Sequence, residues 1–259
     1  MKGKTLRRLL MVLLGLVFLG SAGMLVYTQF QYREGNQAYT EAEALVELPE
    51  LEAPEELQQE ETAEVDPYAD ILHDIELAAL REVNSDVLGW LLIPDTPISY
   101  PLVQGSDNDY YLNHTWRKTA SSVGSIFMDY RSSSDLRDFH TIVYGHRMRN
   151  GTMFASLKYY NQQSYWEAHP RIYIANDAGI YVYEIFSAYE AGVTEDTYHL
   201  SFADDGEKQA FLDFCVGKSV INTGIVSTVE DHVLTLSTCT GRGHATRWVV
   251  QAVLVEAPA

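Results

Sequence analysis

An uncharged run of 24 residues, positions 9 to 32, follows directly on Lys2, Lys4, Arg7 and Arg8 and constrains this chain more than any other feature. Its apolar part, residues 9–27, would form about 28 Å of helix, enough to span the hydrocarbon core of a bilayer. A secretory signal peptide is the competing reading, because Gly20, Ser21, Ala22 and Gly23 offer small residues for cleavage. Met24, Leu25, Val26 and Tyr27 carry the apolar run past that point, which favours an uncleaved anchor. Basic residues ahead of the span place residues 1–8 in the cytoplasm and the remaining chain outside the cell membrane, which it crosses once.

Behind the span the charge reverses. Residues 33–66 hold eleven Glu, one Asp and a single Arg, with Pro49 and Pro54 and few aromatics. Such a stretch cannot bury a core and reads as an extended, self-repelling linker, with a solvated helix over residues 55–64 as an alternative. The chain then divides into a basic flank (1–8), a transmembrane anchor (9–27), an acidic extracellular linker (28–69) and one folded domain (70–259). Of the net charge of −18, residues 67–259 carry −11. An acidic folded part lacks the concentrated basic face that phosphate contacts require, which excludes a nucleic-acid partner. Its sign favours a cationic partner by long-range attraction. Two cysteines, Cys215 and Cys239, are too few for a disulfide framework or a four-cysteine metal site.

Within the folded part, helical spacing of Ile71, Leu72, Ile75, Leu77, Ala78 and Leu80 predicts an opening helix over residues 70–83. Short apolar runs bounded by turn residues follow at 87–93, 124–128, 141–144, 171–174, 180–187, 233–238 and 247–255, the pattern of an all-β sandwich or barrel. Helical interruptions are expected at 153–160 and 207–218, and Cys215 on the second of these reads as a buried small hydrophobe.

The segment richest in chemistry is Thr235-Leu236-Ser237-Thr238-Cys239, seven residues with two glycines, and then Arg247. If both flanks are strands, a hairpin loop sets Cys239 and Arg247 opposite each other at its mouth. A guanidinium there lowers the thiol pKa and can bond the oxyanion of an acyl intermediate. A cysteine nucleophile also needs a proton-transfer partner. Among eight histidines, His146 ends an apolar strand at Gly145 and is the best placed. His244 lies nearer in sequence but in a glycine-containing loop, where it reads as exposed. His114 reads as packed or exposed, with a place along a binding groove as the alternative.

The run Tyr144-Gly145-His146-Arg147-Met148-Arg149-Asn150-Gly151-Thr152-Met153-Phe154, taken with T-L-S-T-C-x(7)-R, resembles class B sortases, the surface transpeptidases of Gram-positive bacteria. Residues 83–90, 98–104, 107–112 and 124–129 extend the resemblance in order across residues 71–255. It implies a mainly β fold: a sortase-type closed barrel of about eight strands, with an N-terminal helix and a long helix before the cysteine strand. It also implies cleavage of a C-terminal sorting signal on secreted proteins and transfer of the acyl group to an amine of a peptidoglycan precursor or a pilin. Carried over residue by residue, Cys239 matches the nucleophile, His146 the general acid and base, and Arg247 the oxyanion-stabilising arginine. Asn108, Leu112, Tyr144 and Ser237 fall where the family contacts its sorting peptide, and no metal or organic cofactor is implied. The competing functions are a secreted cysteine endopeptidase, with water as acceptor, and an inactive sortase-like scaffold that only binds peptides. A Cys215–Cys239 disulfide would disable the nucleophile and is not expected.

Overall fold

The computed structural model describes residues 2–46, 68, 71–72, 75–241, 243 and 245–258. The proposed helix over 55–64, most of the acidic linker and His244 lie outside the described residues.

Helix α1 (Lys2–Leu45) contains a window with a mean hydropathy of 2.5, long and apolar enough to cross a membrane. Its side chains from Leu6 to Tyr27 are not covered by the rest of the chain. The expectation of an extended linker from residue 28 is corrected over residues 28–45, which continue α1 without a break. Two causes act together. The Glu41-Ala42-Glu43-Ala44-Leu45 run is made of strong helix formers. Gly35, Ala38, Tyr39 and Ala42, with Val46 after the last turn, form a buried stripe at helical spacing against the domain. Gly35 permits the approach, since a β-carbon there would lie 2.4 Å from Val123. The Tyr39 hydroxyl donates to the Gly124 carbonyl, and the Trp116 indole N–H donates to the Ala38 carbonyl at 2.7 Å. Arg117 pairs with Glu41 beside them. A chain begun at residue 67 would leave the buried Trp116 indole without its acceptor, so the folded unit includes residues 35–46.

After α2 (Leu77–Val83) come β1 (Val87–Leu92), β2 (Ser99–Val103), β3 (Ile126–Met128) and β4 (His140–Tyr144). A 3-10 helix (Phe154–Asn161) and α3 (Gln163–Ala168) lead to β5 (Arg171–Asn176) and β6 (Gly179–Gly192), and α4 (Asp205–Lys218) precedes β7 (Val233–Cys239) and β8 (Thr246–Glu256). The eight strands close into a barrel, as expected, and their order is β1-β2-β3-β4-β7-β8-β6-β5. All neighbours are antiparallel except β2 with β3 and β4 with β7. Trp90, Leu91, Phe127, Val143, Ile172, Tyr183, Leu234 and Leu236 are among the residues of the main core.

Helix α4 packs outside the barrel over β6, β7 and β8, where Phe211, Leu212 and Cys215 meet Phe186, Tyr189 and Val249. The Asp204 carboxylate caps it by accepting from the Glu207 N–H at 3.0 Å, and Lys218 in its last turn pairs with Glu195. Cys215 is fully buried here, and burial pushes its thiol up to about 11. The expected inert, hydrophobic role follows from that environment.

Candidate active site

Two strand ends build the site. In the parallel β4–β7 pair Tyr144 lies opposite Ser237, and Gly145 N–H donates to the Ser237 carbonyl at 3.1 Å. Two residues farther along the chain from each stand His146, just past the end of β4, and Cys239, the last residue of β7, so the parallel register brings imidazole and thiol to the same end of the barrel. In the antiparallel β7–β8 hairpin Cys239 pairs directly with Arg247, the juxtaposition expected from the spacing. All three residues are half-buried.

The imidazole is seated from behind. Its Nε2–H donates to the Leu112 carbonyl at 2.7 Å, which leaves Nδ1 as the ring nitrogen for the Cys239 thiol. Gly124, at φ +64°, closes the seat, since a β-carbon there would lie 2.8 Å from the ring's Cδ2. That same Gly124 carries the carbonyl that receives the Tyr39 hydroxyl from α1. Helix α1 therefore braces the segment that holds His146. The loop after His146 is fixed at its base by Phe154 N–H to the His146 carbonyl at 2.9 Å, and by Met153 N–H to the Tyr100 hydroxyl at 2.9 Å. The second bond helps hold fully buried Met153 at φ +58°, a sparsely populated conformation for a side chain of that size.

Electrostatics move thiol and imidazole toward each other. The hydrogen bond from His146, aided by the charges of Arg247 and Arg147, holds the Cys239 thiol below its ordinary value against the opposing effect of partial burial. Contact with Cys239, and then the Leu112 carbonyl, hold the His146 imidazole above its ordinary value, again against burial. A depressed thiol pKa means that thiolate persists to lower pH than for an ordinary cysteine. A raised imidazole pKa means that the proton needed for acid catalysis persists to higher pH. We expect iodoacetamide to alkylate Cys239 with a half-rise below pH 8.5, the ordinary cysteine value. In His146→Ala the half-rise should move upward, and an unmoved half-rise would show that the imidazole does not act on the thiol.

The four residues expected to contact a peptide are placed as follows. Asn108 Nδ2 and the Tyr144 hydroxyl both donate to Asp129 Oδ2, at 2.9 and 3.0 Å. Ser237 is buried and shares a 3.1 Å bond with the Tyr198 hydroxyl. Leu112 is half-buried beside His146, and its backbone does the positioning. Reading the sequence missed Asp129, which joins Asn108 to Tyr144. Burial opposes its ionisation, but Arg131, Asn108 and Tyr144 together hold its carboxyl below the usual range. Only its place at the end of the Gly-Ser-Ile-Phe-Met-Asp run marked it. Arg147 was also missed, and its guanidinium donates to the carbonyl of Thr240, next to the thiol. His114 stacks on Tyr110 with ring centres 4.0 Å apart and donates from Nδ1 to that residue's carbonyl, a packing role. No cluster of three or more His, Cys, Asp or Glu among the described residues could hold a metal ion.

Comparison with known proteins agrees with this geometry. A family model described as Sortase domain matches residues 91–255. The chain is 39% identical over 166 residues to Sortase B of Listeria monocytogenes, covering 63% of this chain and 67% of that relative. A crystal structure of sortase B from B. anthracis superposes with a TM-score of 0.72 at 32% identity, over 88% of this chain and 99% of that one. A Staphylococcus aureus sortase B-substrate complex gives a TM-score of 0.67 at 36% identity, over 70% and 85%. The barrel order, the cysteine strand and these matches lead to one conclusion: this chain belongs to the sortase family, as a class B member and cysteine transpeptidase.

Proposed function

We propose that this chain is a membrane-anchored enzyme that cleaves secreted proteins at a C-terminal sorting signal and joins the new carboxyl end to an amine. The observation that carries the reading is the placement of Cys239 against both His146 and Arg247 with the thiol and imidazole pKa values drawn together.

In the first half-reaction the Cys239 thiolate attacks the carbonyl carbon before the scissile bond, with Arg247 and a backbone N–H stabilising the oxyanion. The C–N bond breaks, His146 gives its proton to the departing amine, and a thioester remains on Cys239. In the second, His146 removes a proton from an incoming amine, the C–N bond forms, and Cys239 leaves as thiolate. Asn108 and Tyr144, held by Asp129, together with Leu112 and Ser237, flank the acyl side of the peptide. The acceptor is an amine of a peptidoglycan precursor or a pilin.

Residues 1–8 face the cytoplasm, residues 9–27 cross the membrane, and residues 70–259 stand outside on an anchor helix whose end is built into the domain. The full chain in detergent micelles should cleave a sorting-signal peptide and, given an amine, yield a ligated product in place of the hydrolysed one. Hydrolysis alone across a panel of amines would assign the chain to the endopeptidases instead, and binding without cleavage would make it a scaffold.

A further inference from the structure

A cleft of about 810 Å³ ends on Cys239 and lies apart from the residues proposed to hold the acyl side. Arg147, Arg149, Lys158, Tyr159 and Trp248 are among the residues that line it, and neither Asn108, Leu112, Tyr144 nor Ser237 does. Its charge runs against that of the domain. Residues 67–259 carry a net −11, yet among the described residues this wall presents three cations to a single lining carboxylate, Glu190.

The cations are also available. Among the described residues Arg81, Arg117, Lys118, Arg131, Arg171, Lys208 and Lys218 each hold a carboxylate. Arg147, Arg149 and Lys158 form no ion pair among those residues. Arg147 is tied to the Thr240 carbonyl, Lys158 lies 4.5 Å from the centre of the Tyr159 ring, and Arg149 is exposed at the loop after His146. Cations left without carboxylates beside a nucleophile raise the local concentration of anions there.

We propose that this cleft is the amine-side subsite and selects an acceptor whose amine is carried on a group bearing a carboxylate. The inference rests on the transpeptidase reading above. By microscopic reversibility the entering amine occupies the side of the thioester carbonyl from which the first amine left. With the acyl side along Asn108, Tyr144 and Ser237, the cleft is the open space on that other side. The attacking nitrogen forms its bond to the thioester carbon as the C–S bond breaks, its proton passes to His146, and Arg149 and Lys158 hold the carboxylate. The average charge of the domain and the local charge of the cleft then act on different ends of one acceptor: the domain draws in the ammonium, and the cleft orients the acid.

The test uses the full chain in detergent, acylated on Cys239 by a sorting-signal peptide, with acceptors paired as acid and isosteric amide. Gly-Asp-amide is set against Gly-Asn-amide, and the pair is repeated with two and three leading glycines. We expect the acid to be ligated about five-fold faster than the amide on at least one rung, a preference of the size that two partly exposed cations confer. It should shrink with added salt. Arg149→Gln combined with Lys158→Gln should erase the preference, read as the acid-to-amide ratio of ligation by the same acylated enzyme, whatever the rate at which that variant forms its thioester. Equal ligation of acid and amide on every rung, or a preference that survives the double substitution, would overturn the proposal and leave the transpeptidase reading intact. Failure to form any thioester would overturn both.

Discussion

Cys239→Ala is expected to reduce sorting-signal cleavage by at least about 10⁴-fold, the scale on which loss of a covalent nucleophile is felt when its partners remain. His146 and Arg247 would still flank the site, but neither supplies an atom that can carry the acyl group. Cys215→Ala is the matched control. Its sulfur is buried under α4, 3.7 Å from the Tyr189 hydroxyl, with its thiol held in the neutral form. Removing it leaves a small cavity, so we expect a loss of about 1 kcal/mol in stability and cleavage within about two-fold of the parent. The two variants are compared in one assay, by chromatographic release of the peptide after the scissile bond. Near-parent cleavage by Cys239→Ala would remove Cys239 from the mechanism.

Arg247→Lys is expected to lower the acylation rate by about 10²-fold to 10³-fold while shifting the pH dependence of Cys239 alkylation only slightly. The two readouts separate because Arg247 acts in two ways. Its charge helps to depress the thiol pKa, and a lysine ammonium conserves that charge. Its planar fork would bond an oxyanion forming at the carbonyl that Cys239 attacks, and a single ammonium on a flexible stem does not reproduce the fork. Arg247→Gln loses both and should move both measurements. If Arg247→Lys acylates at the parent rate, the guanidinium acts through charge alone and the oxyanion role is wrong.

The parts of this site that could be read from the sequence are those fixed by local spacing. Seven residues with two glycines between two apolar runs fix a hairpin, and the hairpin fixes Cys239 opposite Arg247. A similar local signal placed α4, whose Asp204 cap and Lys218 end bracket the expected helix. Closure into a barrel was legible only through family resemblance, and the order of its strands was not legible at all, because the parallel β2–β3 and β4–β7 pairings join segments far apart in the chain.

What escaped reading is the seat of His146, assembled from the Leu112 carbonyl, the Gly124 backbone and, behind it, Tyr39. None of these carries a chemical signature of its own. Tyr39 was hidden further by its surroundings: eleven glutamates in residues 33–66 dominate the composition, and a stripe of Gly35, Ala38 and Ala42 contributes little hydrophobicity. Its importance lies in close approach, which composition does not register. The Arg147, Arg149 and Lys158 cluster escaped for the opposite reason, since averaging over an acidic domain conceals three cations that the fold gathers beside one thiol.

Mapping the acyl adduct is the most direct test of the claim that this barrel performs acyl transfer through Cys239. The full chain is mixed with a sorting-signal peptide without added amine, quenched in acid, and digested for mass spectrometry. We expect the mass of the acyl fragment on the peptide containing Cys239, discharged when an amine is added before the quench with the appearance of ligated product. Cleavage of the signal with no adduct on Cys239, or an adduct confined to Cys215, would contradict it.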